Sequence, residues 1–221
     1  MRIGILADIH EDVEALSQAL DLLRREGAGP LVVLGDLFYA GPRIAQTADL
    51  LIEAGAVGVW GNHDLGLCLE PEPQILARYP GRVFDFLRTL GPRLEVDGCL
   101  FSHGLPQWDA TDPTAYYLED RPESAAGLAG SLAASACRVT FVGHFHRWLI
   151  ATPEGIIPWD GKEAISLGPE RRYLVVVAAV CDGWCAEYDT SSGRLVPHRL
   201  GGSITSPGEC GVMGAAGSGG R

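Results

Sequence analysis

Apolar positions along this chain follow two rhythms. In the N-terminal half, short uninterrupted apolar runs, "RIGILAD" (2–8), "LVVLGD" (31–36) and "VGVW" (57–60), are separated by stretches of helical period. Runs of that kind read as strands buried on both faces. Between the first two, Val13, Leu16, Ala19, Leu20 and Leu23 recur at helical spacing, and "EGAGP" (26–30) ends that helix. Ile44, Ala48, Leu51 and Ile52 predict a second helix. Strand–helix–strand–helix–strand predicts a parallel sheet with right-handed crossovers.

The rhythm then changes. Phe84, Leu87 and Leu90 predict a helix within 80–91, and 94–104 predicts a hairpin turning at Asp97-Gly98 whose second strand runs into Ser102 and His103. Residues 105–123 have turn chemistry and three aromatics without a period, and the Ala-rich stretch 124–137 predicts a helix. "RVTFVGHFH" (138–146) predicts a further strand. Beyond it, "WLIAT", "RYLVVVAAV", "WCAEYDT" and "RLVPHRL" predict a β-rich end with hairpin turns at Asp182-Gly183 and Ser192-Gly193. One domain over 1–200 is expected, followed by a Gly-rich, disordered tail over 201–221.

Composition narrows what such a domain can do. A chain of 221 residues, 47% hydrophobic and 20% charged, is long enough to bury a real core. It contains no run of eighteen apolar residues, and "MRIGILADIH" meets Asp8 too early for a signal peptide, so a cytoplasmic protein without a membrane partner is expected. With 17 Lys+Arg against 28 Asp+Glu, the net charge of −11 disfavours extended contact with nucleic acid or anionic membrane. A small anionic substrate stays compatible, because a bound metal reverses the local sign. The six cysteines read as reduced thiols, with Cys181 and Cys185 as neighbours in the core.

The polar residues carry the chemistry. Five apolar runs end in groups able to bind metal: Asp8-x-His10, Gly35-Asp36, Gly61-Asn62-His63-Asp64, His103-Gly104 and Gly143-His144-x-His146. Of six histidines only His198 lies elsewhere. A single histidine of this kind is usually a satisfied core residue; five gathered at strand ends are not explained that way. In an open α/β sheet the carboxyl ends of strands face the ligand crevice, so these segments can converge. If strand geometry continues that far, a period of two puts Asp8 and His10 on one face, and likewise His144 and His146. Glycine at 35, 61 and 143 would let the backbone turn before each polar group. Carboxylates, an amide carbonyl and imidazoles suit borderline first-row metals. Seven ligands exceed one tetrahedral ion, whereas two ions sharing a carboxylate would use them all.

"DIH", "GDLFYAG", "GNHD", "SHG" and "GHFH" match in order the motifs of the calcineurin-like metallophosphoesterase superfamily, which the chain resembles over residues 1–148. The resemblance implies an α/β fold, a four-layer α/β/β/α sandwich. It implies that Asp8, His10, Asp36 and His146 hold one metal and Asp36, Asn62, His103 and His144 the other, with manganese, iron, nickel, cobalt or zinc as the divalent ions. His63 is then the acid that protonates the leaving oxygen, steered by Asp64. The implied activity is in-line attack of a metal-bridging hydroxide on a small phosphoester.

The second motif here is "GDLFYAG", and Trp60 precedes Gly61, so two arginines found in protein-phosphatase-like relatives are absent. That favours the small bacterial phosphodiesterase-like subgroup, although "RYLVVVAAVCDG" replaces the Gly-Ser-x-Gly turn that its neighbours often carry. The alternatives are a phosphomonoesterase of the same fold and a catalytically silent binding scaffold; the intact ligands speak against the scaffold. A metallo-β-lactamase-type hydrolase would need H-x-H-x-D-H, which is missing. Around the motifs, Asp12 reads as a helix N-cap, Arg147 and His198 as surface residues, and Glu11 as a group that could tune the metals. Trp108, Tyr116 and Tyr117 either stack on a nucleobase or pack a long loop.

Overall fold

The computed structural model describes residues 1–39 and 41–201, so Ala40, Cys210 and residues 202–221 of the expected tail lie outside the description. The N-terminal half contains β1 (Arg2–Leu6), α1 (Val13–Arg25), β2 (Leu31–Leu34), α2 (Ile44–Glu53) and β3 (Val57–Val59). Three short helices follow, α3 (Leu65–Cys68), α4 (Pro73–Leu76) and α5 (Gly81–Leu87), then the hairpin of β4 (Arg93–Val96) and β5 (Cys99–Ser102). After α6 (Ala115–Leu118) and α7 (Ala125–Ala133) come β6 (Val139–Val142), β7 (Leu149–Thr152), β8 (Gly155–Ile157), β9 (Ile165–Ser166), β10 (Tyr173–Val176), β11 (Trp184–Asp189) and β12 (Arg194–Arg199).

The strands form two sheets, β3-β2-β1-β11-β12-β9 and β4-β5-β6-β10-β7-β8. β1, β2 and β3 are parallel, with Ile5 opposite Val32 and Val33 opposite Gly58, and β11 closes onto β1 in antiparallel register. In the second sheet β5, β6 and β10 are parallel. Alternation along each strand explains the unbroken apolar runs. Ile3, Ile5, Val32 and Leu34 point between the sheets, where they meet Phe101, Phe141, Ile150, Val175 and Tyr188. Leu6 and Val33 face the other way, under Leu16, Leu20 and Leu23 of α1, Ala48 and Leu51 of α2, and Phe84 of α5. On the far side of the second sheet, Val142, Leu174 and Val176 are covered by Leu105, Trp108, Tyr116 and Leu128. The result is the expected four-layer α/β/β/α arrangement. Asp12 caps α1, its Oδ1 accepting the Ala15 N–H at 2.9 Å.

Three expectations need correction. The runs at 2–8, 31–36 and 138–146 stop being strand at Leu6, Leu34 and Val142, so strand period does not bring Asp8 with His10 or His144 with His146. Asp182-Gly183 is no hairpin turn: it carries the chain from β10 in the second sheet to β11 in the first. The hairpin at Ser192-Gly193 does form, between β11 and β12. Cys181 therefore lies on the crossing segment and Cys185 on β11 within the α1-side core, so no shared strand face pairs the two. The five described cysteines are free thiols.

Candidate metal centre

The motif segments leave their strands and enter left-handed backbone. Asp8, His10, Glu11, Asp36, His144 and His146 have φ of 51°, 48°, 61°, 51°, 65° and 51°. Such conformations cost a non-glycine residue of order 1–3 kcal/mol and persist only where the surroundings fix them. Here the first two motif loops are zipped together. The N–H groups of Asp8, Ile9, His10 and Glu11 donate to the carbonyls of Gly35, Asp36, Asp36 and Leu37 at 2.9–3.1 Å. The Asp8 carboxylate in turn accepts the His144 N–H at 3.0 and 3.1 Å, and Asp36 Oδ1 accepts the His63 N–H at 2.9 Å.

The glycines serve close approach more than turning. Only Gly35, with φ 83°, adopts the conformation expected of a turn. A Cβ at Gly61 would stand 2.2 Å from Asp36 Oδ1, and one at Gly143 would stand 2.9 Å from Asp8 Oδ2.

All seven expected ligands gather around Asp36. His103 Nε2 lies 3.3 Å from Asp36 Oδ2 and 3.1 Å from Asn62 Oδ1. His10 Nε2 lies 3.8 Å from Asp36 Oδ2 and 3.2 Å from His146 Nε2, which is itself 3.5 Å from Asp8 Oδ1. Ligand atoms of Asp36, His103 and His144 lie within 4.8 Å of one another, as do those of His10, Asp36 and His63.

The outward contacts decide which ring nitrogen is available. His103 Nδ1–H donates to the Leu34 carbonyl at 2.7 Å, and His144 Nε2–H donates to the Tyr116 carbonyl at 3.0 Å. A carbonyl can only accept, so in the neutral ring the opposite nitrogen is the one that carries the lone pair. His146 Nδ1 faces the Asp182 carboxylate at 3.1 Å. Asn62 turns its amide nitrogen to the Tyr117 hydroxyl at 3.2 Å, leaving Oδ1 inward. Imidazoles tied on one side and bare on the other are what metal ligation asks for. Among the described residues His10 Nδ1 is buried without a hydrogen-bond partner. The donor set, carboxylate and imidazole with one amide oxygen, fits divalent transition metals.

Charge follows this geometry. Burial works to neutralise His103, yet the adjoining Asp36 carboxylate lifts its pKa to about 9, and the same pairing holds Asp36 low despite burial. Burial likewise opposes charge on His146, but Asp182 and Asp8 raise it to about 12. His144 is pushed down to about 4 by burial and by the neighbouring His103. His10 is also lowered, chiefly by burial.

Asp64 plays a part different from the one expected. It is fully buried, and its carboxylate accepts N–H groups of Gly61 at 2.8 Å, Leu37 at 3.0 Å and Phe38 at 3.2 Å. Burial, with the Asp36 charge adding to it, pushes its pKa up to about 7. No hydrogen bond joins it to the His63 ring among the described residues. That exposed ring instead stacks on Tyr39, centroids 5.2 Å apart, and meets His10 edge-on. Glu11 makes a second clamp: Oε1 accepts N–H groups of Tyr39 and Gly41 at 2.8 and 2.7 Å, and Oε2 that of Arg43 at 2.8 Å. Two buried carboxylates thus hold the loop after Asp36 from either side.

The remaining residues sort by burial. Trp108 and Tyr116 are core, 4% and 2% exposed, whereas Tyr117 is 61% exposed beside His144. Arg147 is paired with Glu123, and His198 is half-buried on β12. Trp60 is partly buried against the core that α1, α2 and α5 cover. Cys181 and Asp182 reach the site although no motif marks them, and Tyr39 reaches it from within the second motif segment. Among the described residues no helix is long and apolar enough to cross a membrane.

Comparison with known proteins bears on the fold and the family. An uncharacterized protein of Methanocaldococcus jannaschii is 25% identical over 194 residues, covering 78% of this chain and 73% of its own length. The solved metallophosphoesterase of Sphaerobacter thermophilus superposes with a TM-score of 0.71 at 24% identity, covering 91% of this chain and 88% of that one. A structure described as an archaeal phosphodiesterase aligns at 14% identity with a TM-score of 0.54, covering 90% and 100%. These two likenesses establish a shared fold. The calcineurin-like phosphoesterase pattern matches residues 1–173, and this chain belongs to that family of metal-dependent phosphoester hydrolases.

Proposed function

We propose that the chain hydrolyses small phosphodiesters with two divalent first-row metal ions. Asp8, His10, Asp36 and His146 would hold one ion and Asp36, Asn62, His103 and His144 the other, Asp36 being shared. One observation carries this reading: three histidines are tied outward by one ring nitrogen while the other side faces the Asp8–Asp36 carboxylates. Bound ions of this kind offset phosphoryl charge and make water nucleophilic near neutral pH.

The chain's own residues would do the rest. Tyr117 sets the Asn62 amide with its oxygen inward. The His63 backbone is anchored on Asp36, and its exposed ring can hold a proton for the departing oxygen, a role worth about 10²–10⁴-fold. Tyr39 and His10, not Asp64, orient that ring.

Preference for diesters rests on a missing clamp. A dianionic monoester is best held by a bidentate arginine. Arg43 and Arg147, the arginines nearest the motifs in sequence, are engaged by Glu14 and Glu123. With a net charge of −11, small substrates are favoured over polyanions. The test compares kcat/KM for an aryl phosphodiester, an aryl phosphomonoester and a phosphoserine peptide. The diester should lead; a higher value for either monoester selects the phosphomonoesterase alternative.

A further inference from the structure

We propose that Asp182 is a positioning residue of the metal centre: its carboxylate accepts the His146 Nδ1–H and holds that ring with Nε2 toward Asp8 and His10. The proposal rests on the two-metal reading above.

His146 needs such a tether more than the other histidines do. Its side chain is 35% exposed, against 1% for His103, so packing alone does not fix the ring. His103 and His144 are oriented by backbone carbonyls, which cannot move independently of the fold. For His146 the acceptor is a side chain, Asp182 Oδ2 at 3.1 Å. The Cys181 thiol, 3.9 Å from the same Nδ1, is a weaker partner at longer range.

The backbone that carries Asp182 is anchored to the site. On the crossing from β10 to β11, the Val180 N–H donates to the Ala7 carbonyl at 2.7 Å and the Cys181 N–H to that of Asp8 at 3.2 Å. Arg199 Nη1 donates to the Asp182 carbonyl at 2.7 Å, with its guanidinium over the Trp184 ring. Asp182 is therefore registered directly against the strand end that presents Asp8. A carboxylate behind a ligating imidazole fixes its tautomer and strengthens it as a donor.

The test uses the full chain as Asp182→Ala and Asp182→Asn, loaded with zinc. Competition with a chelator reads each site's affinity, and long-range 1H–15N spectra read the His146 tautomer. Asp182→Ala should weaken one zinc site about 10–100-fold, leave the other within about twofold, and lose the His146 Nδ1–H signal. Asp182→Asn keeps an accepting oxygen and should retain the tautomer with most of the affinity. Wild-type protein that takes up no zinc overturns the two-metal reading and this proposal with it. Wild-type uptake matched by Asp182→Ala with an unchanged spectrum overturns this proposal alone. Equal weakening of both sites also overturns it, since that marks general damage to the fold.

Discussion

Replacing Glu11 by alanine removes the acceptor of three backbone donors at once. Its carboxylate, on a residue 6% exposed, takes the N–H groups of Tyr39, Gly41 and Arg43 at 2.7–2.8 Å. Hydrogen bonds to a charged group contribute about 1.5–3 kcal/mol each, so three set an upper bound of roughly 4.5–9 kcal/mol. Tyr39 lies at an exposed rim where water can replace part of what is lost, which brings the expected cost down to about 2–4 kcal/mol. For a chain of this length that lowers Tm by about 5–15 °C. Glu11→Gln keeps one oxygen but turns an NH2 group toward a donor, and should cost about half as much. Gly41 supplies an internal control. A Cβ there would approach Glu11 Oε2 to 2.7 Å, so Gly41→Ala should cost less in the Glu11→Ala background than alone. Guanidinium denaturation of metal-free protein, with m-values compared, measures each variant. Loss of less than about 0.5 kcal/mol in Glu11→Ala would refute the clamp.

For His63→Ala, metal content should stay intact while turnover falls with the leaving group's demand for a proton. Little loss is expected for p-nitrophenolate and up to about 10⁴-fold for an alkoxide; equal losses across the series would remove the acid role. Metal uptake should strengthen as pH rises from about 6 to 9, because His103, raised to about 9, and His146, raised further, must shed protons that metal displaces. Proton release measured calorimetrically in buffers of different ionisation enthalpy checks this, and pH-independent affinity would contradict it. In metal-free protein the raised His103 contributes stability that is full below its unfolded value of about 6.5 and lost as pH rises through about 9. Its Tm should fall over that interval, and a flat profile would contradict the His103–Asp36 pairing.

Much of this structure was readable in the chain because its strands are buried on both faces. Ile5 and Leu6 face opposite cores, so β1 shows as an unbroken apolar run whose end is visible at Asp8. The identity of the converging polar groups was readable too, since each terminates such a run. Their backbone was not. Asp8, His10, His144 and His146 occupy left-handed conformations imposed by contacts between loops distant in sequence, and no local pattern announces them. The backbone clamps made by Glu11 and Asp64 escape the sequence for a related reason. A carboxylate that binds backbone N–H groups leaves no partner residue to recognise in the sequence. The crossing at Cys181-Asp182 resembles a hairpin turn because Asp-Gly suits both; only sheet membership separates them. Tyr116 and Tyr117 show the same limit, as two adjacent aromatics on α6 differ in burial by the face they occupy.

The most direct measurement is metal stoichiometry by elemental analysis after dialysis and saturating reconstitution, on wild-type protein and Asp36→Asn. Asp36 stands within 3.8 Å of both His10 and His103, at the point where the two ligand groups meet. Wild-type protein should retain two ions per chain, and Asp36→Asn clearly fewer. Fewer than two ions in wild type, with Asp36→Asn unchanged from it, would contradict a shared dinuclear site.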